Sequence, residues 1–118
     1  MDELHFAREI SELSAKELYQ CATTRPAELL RLKNGEGSVR AGAWADLIAV
    51  RDTGQSPCDT LGELSFEDIE LVVIGGGVQL ASTEMIKRLP SETMAGLEPL
   101  CVEGTVRWIR VPIARLFE

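Results

Sequence analysis

The sequence predicts an α+β fold, with helices gathered in the first third and strands in the remainder. Three observations point there. Up to about residue 32, apolar residues recur at spacings of three and four, the period of a helix with one covered face. From Leu47 onward they form short runs separated by glycine-bearing turns, the pattern of strands and hairpins. Helices also precede strands instead of alternating with them, which argues against a parallel βαβ sheet.

A chain of 118 residues fits one domain able to remove roughly two thirds of its unfolded surface from water. We expect a single domain over residues 1–118: a helical segment at 1–35, sandwich-like strands at 36–82, and a short helix plus a C-terminal hairpin at 83–118. The sheet is expected to be small and mixed, or a partial β-sandwich. Composition is that of a globular domain, 45% hydrophobic and 26% charged, and with aromatics at 5% the packing falls to Leu, Val, Ile and Ala. A formal charge of −7 repels phosphate backbones and anionic lipid, so neither nucleic acid nor a membrane is an expected partner. No apolar run approaches the roughly 20 residues needed to cross a bilayer, and MDELHFAREI carries charges where a signal peptide has its apolar centre. We therefore expect a cytoplasmic protein. Cys21, Cys58 and Cys101 lie far apart with no CxxC pair, the usage of reduced thiols.

The first helix contains Leu4, Ala7 and Ile10. Ser14-Ala15-Lys16-Glu17 has the form of a capping box, with Leu13 and Leu18 as its hydrophobic staple. Leu18, Cys21 and Ala22 then share one face. This second helix should stop near Thr23 or Thr24, because Pro26 disfavours helical geometry at Arg25 and itself suits a first turn. A third helix runs to about Leu32, with Asn34-Gly35 as its stop signal. Leu47-Ile48-Ala49-Val50 is apolar at every position, as expected of an interior strand. Residues 52–63, with Gly54, Pro57 and Gly62, read as a loop. Ile69–Ile74 and Val78-Gln79-Leu80 flank three glycines and predict a hairpin. Residues 83–97 are weakly helical, with Met85, Ile86 and Leu89 on one side and Pro90 interrupting. Leu100-Cys101-Val102 and Thr105–Val111 flank Glu103-Gly104, a second hairpin.

Chemistry-bearing residues are few. Gly75-Gly76-Gly77 lacks the helix that a phosphate loop needs immediately after it, and reads as a hairpin turn. His5 is the only histidine; hydrolytic metal sites commonly draw on two or three. Glu63, Glu67, Asp68 and Glu70 cluster around a strand start, but their spacing matches no calcium loop and reads as a wet surface. Cys21 and Cys101 are expected as buried small hydrophobes and Cys58, in a loop, as the accessible thiol with nothing nearby to activate it. Trp44 and Trp108 are expected to anchor packing. No catalytic, cofactor-binding or metal residue is assigned.

The succession ELYQCATTRPAELLRL, GEGSVRAGAWADLIAVRD and IELVVIGGGVQLAS, within residues 14 to 82, resembles the C-terminal end of the amidohydrolase superfamily, in its cytosine-deaminase and chlorohydrolase-like branch. Ala45-Asp46-Leu47, preceded by Gly37 and Gly42, is the most specific part. Arg25 departs from that pattern, where Asn often caps the helix, as does Gly76-Gly77, where a single glycine is usual. The resemblance implies a parent several times longer, combining a metal-bearing (β/α)8 barrel with a small β-sandwich built from both chain ends. Its reaction is hydrolysis or deamination at carbon–nitrogen or similar bonds, with zinc or iron lowering the pKa of the attacking water. The metal-binding histidines and aspartate of such a parent lie upstream of Met1, so no functional residue carries over and this chain has no cofactor of its own. Residues 1–32 then correspond to the last barrel helices and 37–82 to the sandwich.

The expected function is thus that of a C-terminal amidohydrolase-like segment, inactive alone. The alternative is a non-catalytic module that self-associates through open sheet edges, as a homodimer or larger assembly burying Leu47–Val50 or Ile69–Leu80. A small enzyme acting through Cys58 or the acidic cluster is the least supported class.

Overall fold

Helix α1 (Asp2–Ile10) opens the computed structural model, which describes residues 2 to 114. The end of the expected C-terminal segment, 115–118, lies outside the described residues. The class is α+β. The chain falls into two units, one formed up to Trp44 with Asp52–Phe66, the other by Ala45–Arg51 with the chain from Glu67 onward.

In the first unit α1 is followed by α2 (Ala15–Ala22) and α3 (Thr24–Leu29). The capping box forms as read: Glu17 N donates to Ser14 Oγ at 3.3 Å and Ser14 N to Glu17 Oε2 at 2.9 Å. α2 ends at Thr23, whose hydroxyl donates to the Tyr19 carbonyl at 2.8 Å. α3 starts at Thr24, with Pro26 inside its first turn. It also stops earlier than Asn34-Gly35 implies. The Arg31 amide donates to the Glu28 carbonyl at 3.0 Å and the Leu32 amide to that of Ala27 at 2.9 Å, the paired bonds of a Schellman end. Arg31 takes the left-handed position there, φ 55°, without being glycine.

The expected loop at 52–63 contains a helix, α4 (Pro57–Glu63). Ser56 caps it, its Oγ accepting the Asp59 amide at 3.2 Å, and Pro57 occupies the first turn, where a missing N–H costs nothing. α2 packs on α3 and α4, and Leu18, Ala27 and Leu64 are buried. The expected stripe on α2 narrows to Leu18, for Cys21 and Ala22 are exposed.

The second unit is one open sheet, order β1-β2-β3-β5-β4, from β1 (Leu47–Val50), β2 (Ile69–Ile74), β3 (Gly77–Ser82), β4 (Leu97–Val102) and β5 (Thr105–Arg110). All four pairings are antiparallel where a mixed sheet was allowed for, because the connections include two-residue hairpins and no crossover returns a strand in parallel. The two predicted hairpins are β2–β3, turning at Gly75-Gly76, and β4–β5, turning at Glu103-Gly104 with positive φ at all four turn residues.

β1 is an edge strand, contrary to the expected interior position. Its four apolar residues are not enclosed on both sides, and Ile48 is 53% exposed. β2 and β3 each have two strand neighbours, so of the two stretches expected at an interface only Leu47–Val50 borders the sheet. Residues 83–97 form two one-turn helices, α5 (Thr83–Ile86) and α6 (Ser91–Met94), on either side of Pro90. Ile86, Met85, Leu89 and Met94 pack with Leu71, Val73, Val78, Ala81, Leu97 and Trp108 as the core of this unit. Trp108 is thus the packing anchor expected; Trp44, 59% exposed, is not. A last turn, α7 (Val111–Ala114), closes the described chain.

Candidate functional site

Antiparallel register brings a polar row together at one level of the sheet. Ser82 at the end of β3 pairs with Arg107 on β5, and Glu70, next to Leu71 on β2, stands on Ser82's other side. The Ser82 hydroxyl donates to Glu70 Oε2, and Arg51, just past β1, reaches Glu70 Oε1 at 3.3 Å. Arg107 is 5% exposed, its guanidinium donating to the carbonyls of Glu67 (2.9 Å) and Val106 (3.1 Å). Ser82 donation above all, with the Arg51 and Arg107 charges beside it, holds the Glu70 carboxyl below its ordinary value against the opposing effect of burial.

The chemistry of this row is structural. Ser82 Oγ also accepts the Met85 amide at 3.0 Å as the cap of α5, so both its proton and a lone pair are committed. A carboxylate stabilised in its ionised form is a weak base, and Ser82, 5% exposed, offers a substrate no approach. The row fastens β1, β2, β3 and β5 at their shared level. Arg110 adds a second tie, donating through Nε and Nη2 to the Val78 carbonyl at 3.1 and 2.6 Å and through Nη1 to that of Ala95 at 2.7 Å. Sequence reading missed both arginines, because it takes a strand arginine as outward-facing by default.

The glycine turn is not an anion cradle. Its Gly75 amide donates to Asp46 Oδ1 at 2.6 Å and its Gly76 amide to the Ala45 carbonyl at 3.1 Å, so the chain's own acceptors fill it. His5 is exposed on α1, beside a shallow cleft of ≈ 410 Å³ lined also by Arg8, Glu9, Gly62 and Glu63. Across it Arg8 pairs with Glu63 at 3.0 Å, with both side chains more than a third exposed.

The acidic cluster read from sequence does not converge. Glu63 is taken by Arg8 and Glu70 by Ser82 and Arg51, while Glu67 and Asp68 lie in a 3-10 turn, Phe66–Asp68. The thiols also differ from expectation: Cys58 is half-buried in the first turn of α4, whereas Cys21 and Cys101 are exposed. Cys101 lies on β4, the other edge strand, and the Cys21 sulfur is met by the Arg25 guanidinium at 3.6 Å.

The zinc or iron that the resemblance implies for a longer parent requires several converging imidazole and carboxylate donors. Among the described residues no group of three or more His, Cys, Asp or Glu side chains is placed to hold an ion. No helix among them is long and apolar enough to cross a membrane. No family model, curated protein or solved structure matches the chain.

Proposed function

We propose that the chain serves as the C-terminal segment of an amidohydrolase-like hydrolase, bracing a catalytic domain without contributing catalytic groups. One observation carries the reading. The stretches whose order resembles that superfamily, 37–52 and 69–82, meet as adjacent antiparallel strands, and Asp46 of the Ala45-Asp46-Leu47 segment holds the glycine turn of the second. The most specific part of the resemblance is therefore the part with a defined structural duty. In this reading the parent hydrolyses or deaminates carbon–nitrogen or similar bonds with a zinc or iron ion bound elsewhere, and this chain acts in the cytoplasm as a brace. The test is the DNA upstream of the first codon. A reading frame encoding a barrel with His-x-His and later His and Asp motifs is expected, and an upstream region with no such frame overturns the proposal. Turnover of a hydrolase substrate panel by the purified chain, with stoichiometric zinc or iron, overturns its non-catalytic part.

A second reading, self-association, is favoured by the asymmetry of the sheet. β1 exposes Leu47 and Ile48 at an edge without proline or lysine, whereas the opposite edge, β4, carries Glu98 and Pro99. A second copy added along β1 extends the sheet. Light scattering at micromolar concentration is then expected to show a dimer that Ile48→Lys dissociates; a monomer in the wild type overturns this reading.

A further inference from the structure

Asn34-Gly35 does not stop α3, and its chemistry lies elsewhere. We propose that this dipeptide is a site of spontaneous conversion of asparagine to aspartate or isoaspartate, and that Glu36 restrains the reaction by holding the Asn34 amide. Asn34 is exposed, and the residue after it has no side chain to hinder attack by its own nitrogen. Glu36 grips Asn34 twice: Oε1 accepts from Nδ2 at 3.1 Å and Oε2 from the backbone amide at 2.8 Å. For reaction, the Gly35 nitrogen gives its proton to solvent base and bonds to Asn34 Cγ. The Cγ–Nδ2 bond breaks, ammonia leaves with a proton from water, and a cyclic imide remains. Water then opens either imide carbonyl, giving aspartate or isoaspartate, so the sum is asparagine plus water to the acid plus ammonia. An amide pinned to Glu36 must first release that bond before Cγ can swing to the Gly35 nitrogen.

The product has a structural consequence. A carboxylate at position 34 loses the Nδ2 donor and faces Glu36 as a like charge. The isoaspartyl form also lengthens the main chain next to Gly35, which is buried so closely that a Cβ there would lie 2.5 Å from Ala43 Cβ. The Asn34 carbonyl, which accepts the Trp44 amide at 2.9 Å and closes this loop, moves with it. The dipeptide is thus an ageing mark that opens residues 34–44.

The experiment incubates the purified chain at neutral and mildly alkaline pH and quantifies aspartate and isoaspartate at position 34 by peptide mapping, with a free peptide of residues 30–40 as the reference. Expected is slow conversion in the wild type, conversion several-fold faster in Glu36→Ala, and a peptide faster than the wild type. Should Glu36→Ala lose its fold by circular dichroism, Glu36→Gln, which keeps an acceptor but not the charge, is expected between wild type and peptide. Equal rates in wild type and a folded Glu36 variant, or no conversion at position 34 in either while the peptide reacts, overturns the proposal.

Discussion

Asp46 Oδ1 accepts the Gly75 amide at 2.6 Å across 29 residues of sequence, fastening the start of β1 to the turn between β2 and β3. A β-hairpin turn ordinarily leaves such an amide to water. Here a carboxylate takes it and fixes where β1 enters the sheet. Asp46→Ala is expected to lower stability by about 1 kcal/mol, the net worth of one exposed charge-assisted bond, with Asp46→Asn losing less because an acceptor remains. Urea unfolding checks this through a lower midpoint with unchanged slope.

Gly37 and Gly42 share a backbone conformation but not an environment. Both have positive φ, 77° and 83°, yet a Cβ at Gly37 would lie 2.4 Å from the Thr23 carbonyl oxygen and one at Gly42 would meet nothing within 4 Å. Gly42→Ala is expected to cost about 1 kcal/mol, the left-handed penalty alone. Gly37→Ala adds a backbone clash and is expected to cost roughly 3 kcal/mol or more. Thermal unfolding of the two variants side by side measures the difference.

Arg31 bears the opposite strain, a long side chain in a position that suits glycine. Arg31→Gly is expected to stabilise the chain by about 0.5 kcal/mol, the relief of left-handed strain outweighing the greater freedom of the unfolded state. The readout is a raised urea midpoint together with slower exchange of the Leu32 amide.

The polar row predicts acid sensitivity. Because the folded Glu70 carboxyl sits below its ordinary value of 4.5, ionisation stabilises the fold. That contribution is fully present above 4.5 and is lost as pH falls through the lower folded value. Glu70→Gln should flatten the stability curve across that acid window and leave the slope elsewhere unchanged. Parallel curves for wild type and variant, followed by unfolding at a series of pH values, would show that the row does not contribute.

Local rules carried most of the fold. The capping box at Ser14 and the two glycine-bearing hairpins depend on residues adjacent in sequence, and all three stand where the pattern puts them. The helix at Pro57–Glu63 was equally legible in Ser56-Pro57-Cys58-Asp59, a cap, a first-turn proline and an acidic third position, but Gly54 and Gly62 drew the stretch toward a loop. What stayed hidden was non-local. An unbroken Leu47–Val50 run looks the same at a border as inside a sheet, and the meeting of Glu70, Ser82 and Arg107 depends on the pairing of β2, β3 and β5, which no local pattern encodes.

The two borders of the sheet differ in what they offer the backbone of another strand. Pro99 has no N–H to offer from the middle of β4, whereas β1, at the other border, holds the exposed Leu47 and Ile48 and pairs with β2 through a register that shifts between Ala49 and Val50. If copies pair through β1 as proposed above, each addition uses up that margin and the assembly stops at two. Under that proposal, the same asymmetry works against endless stacking into fibres.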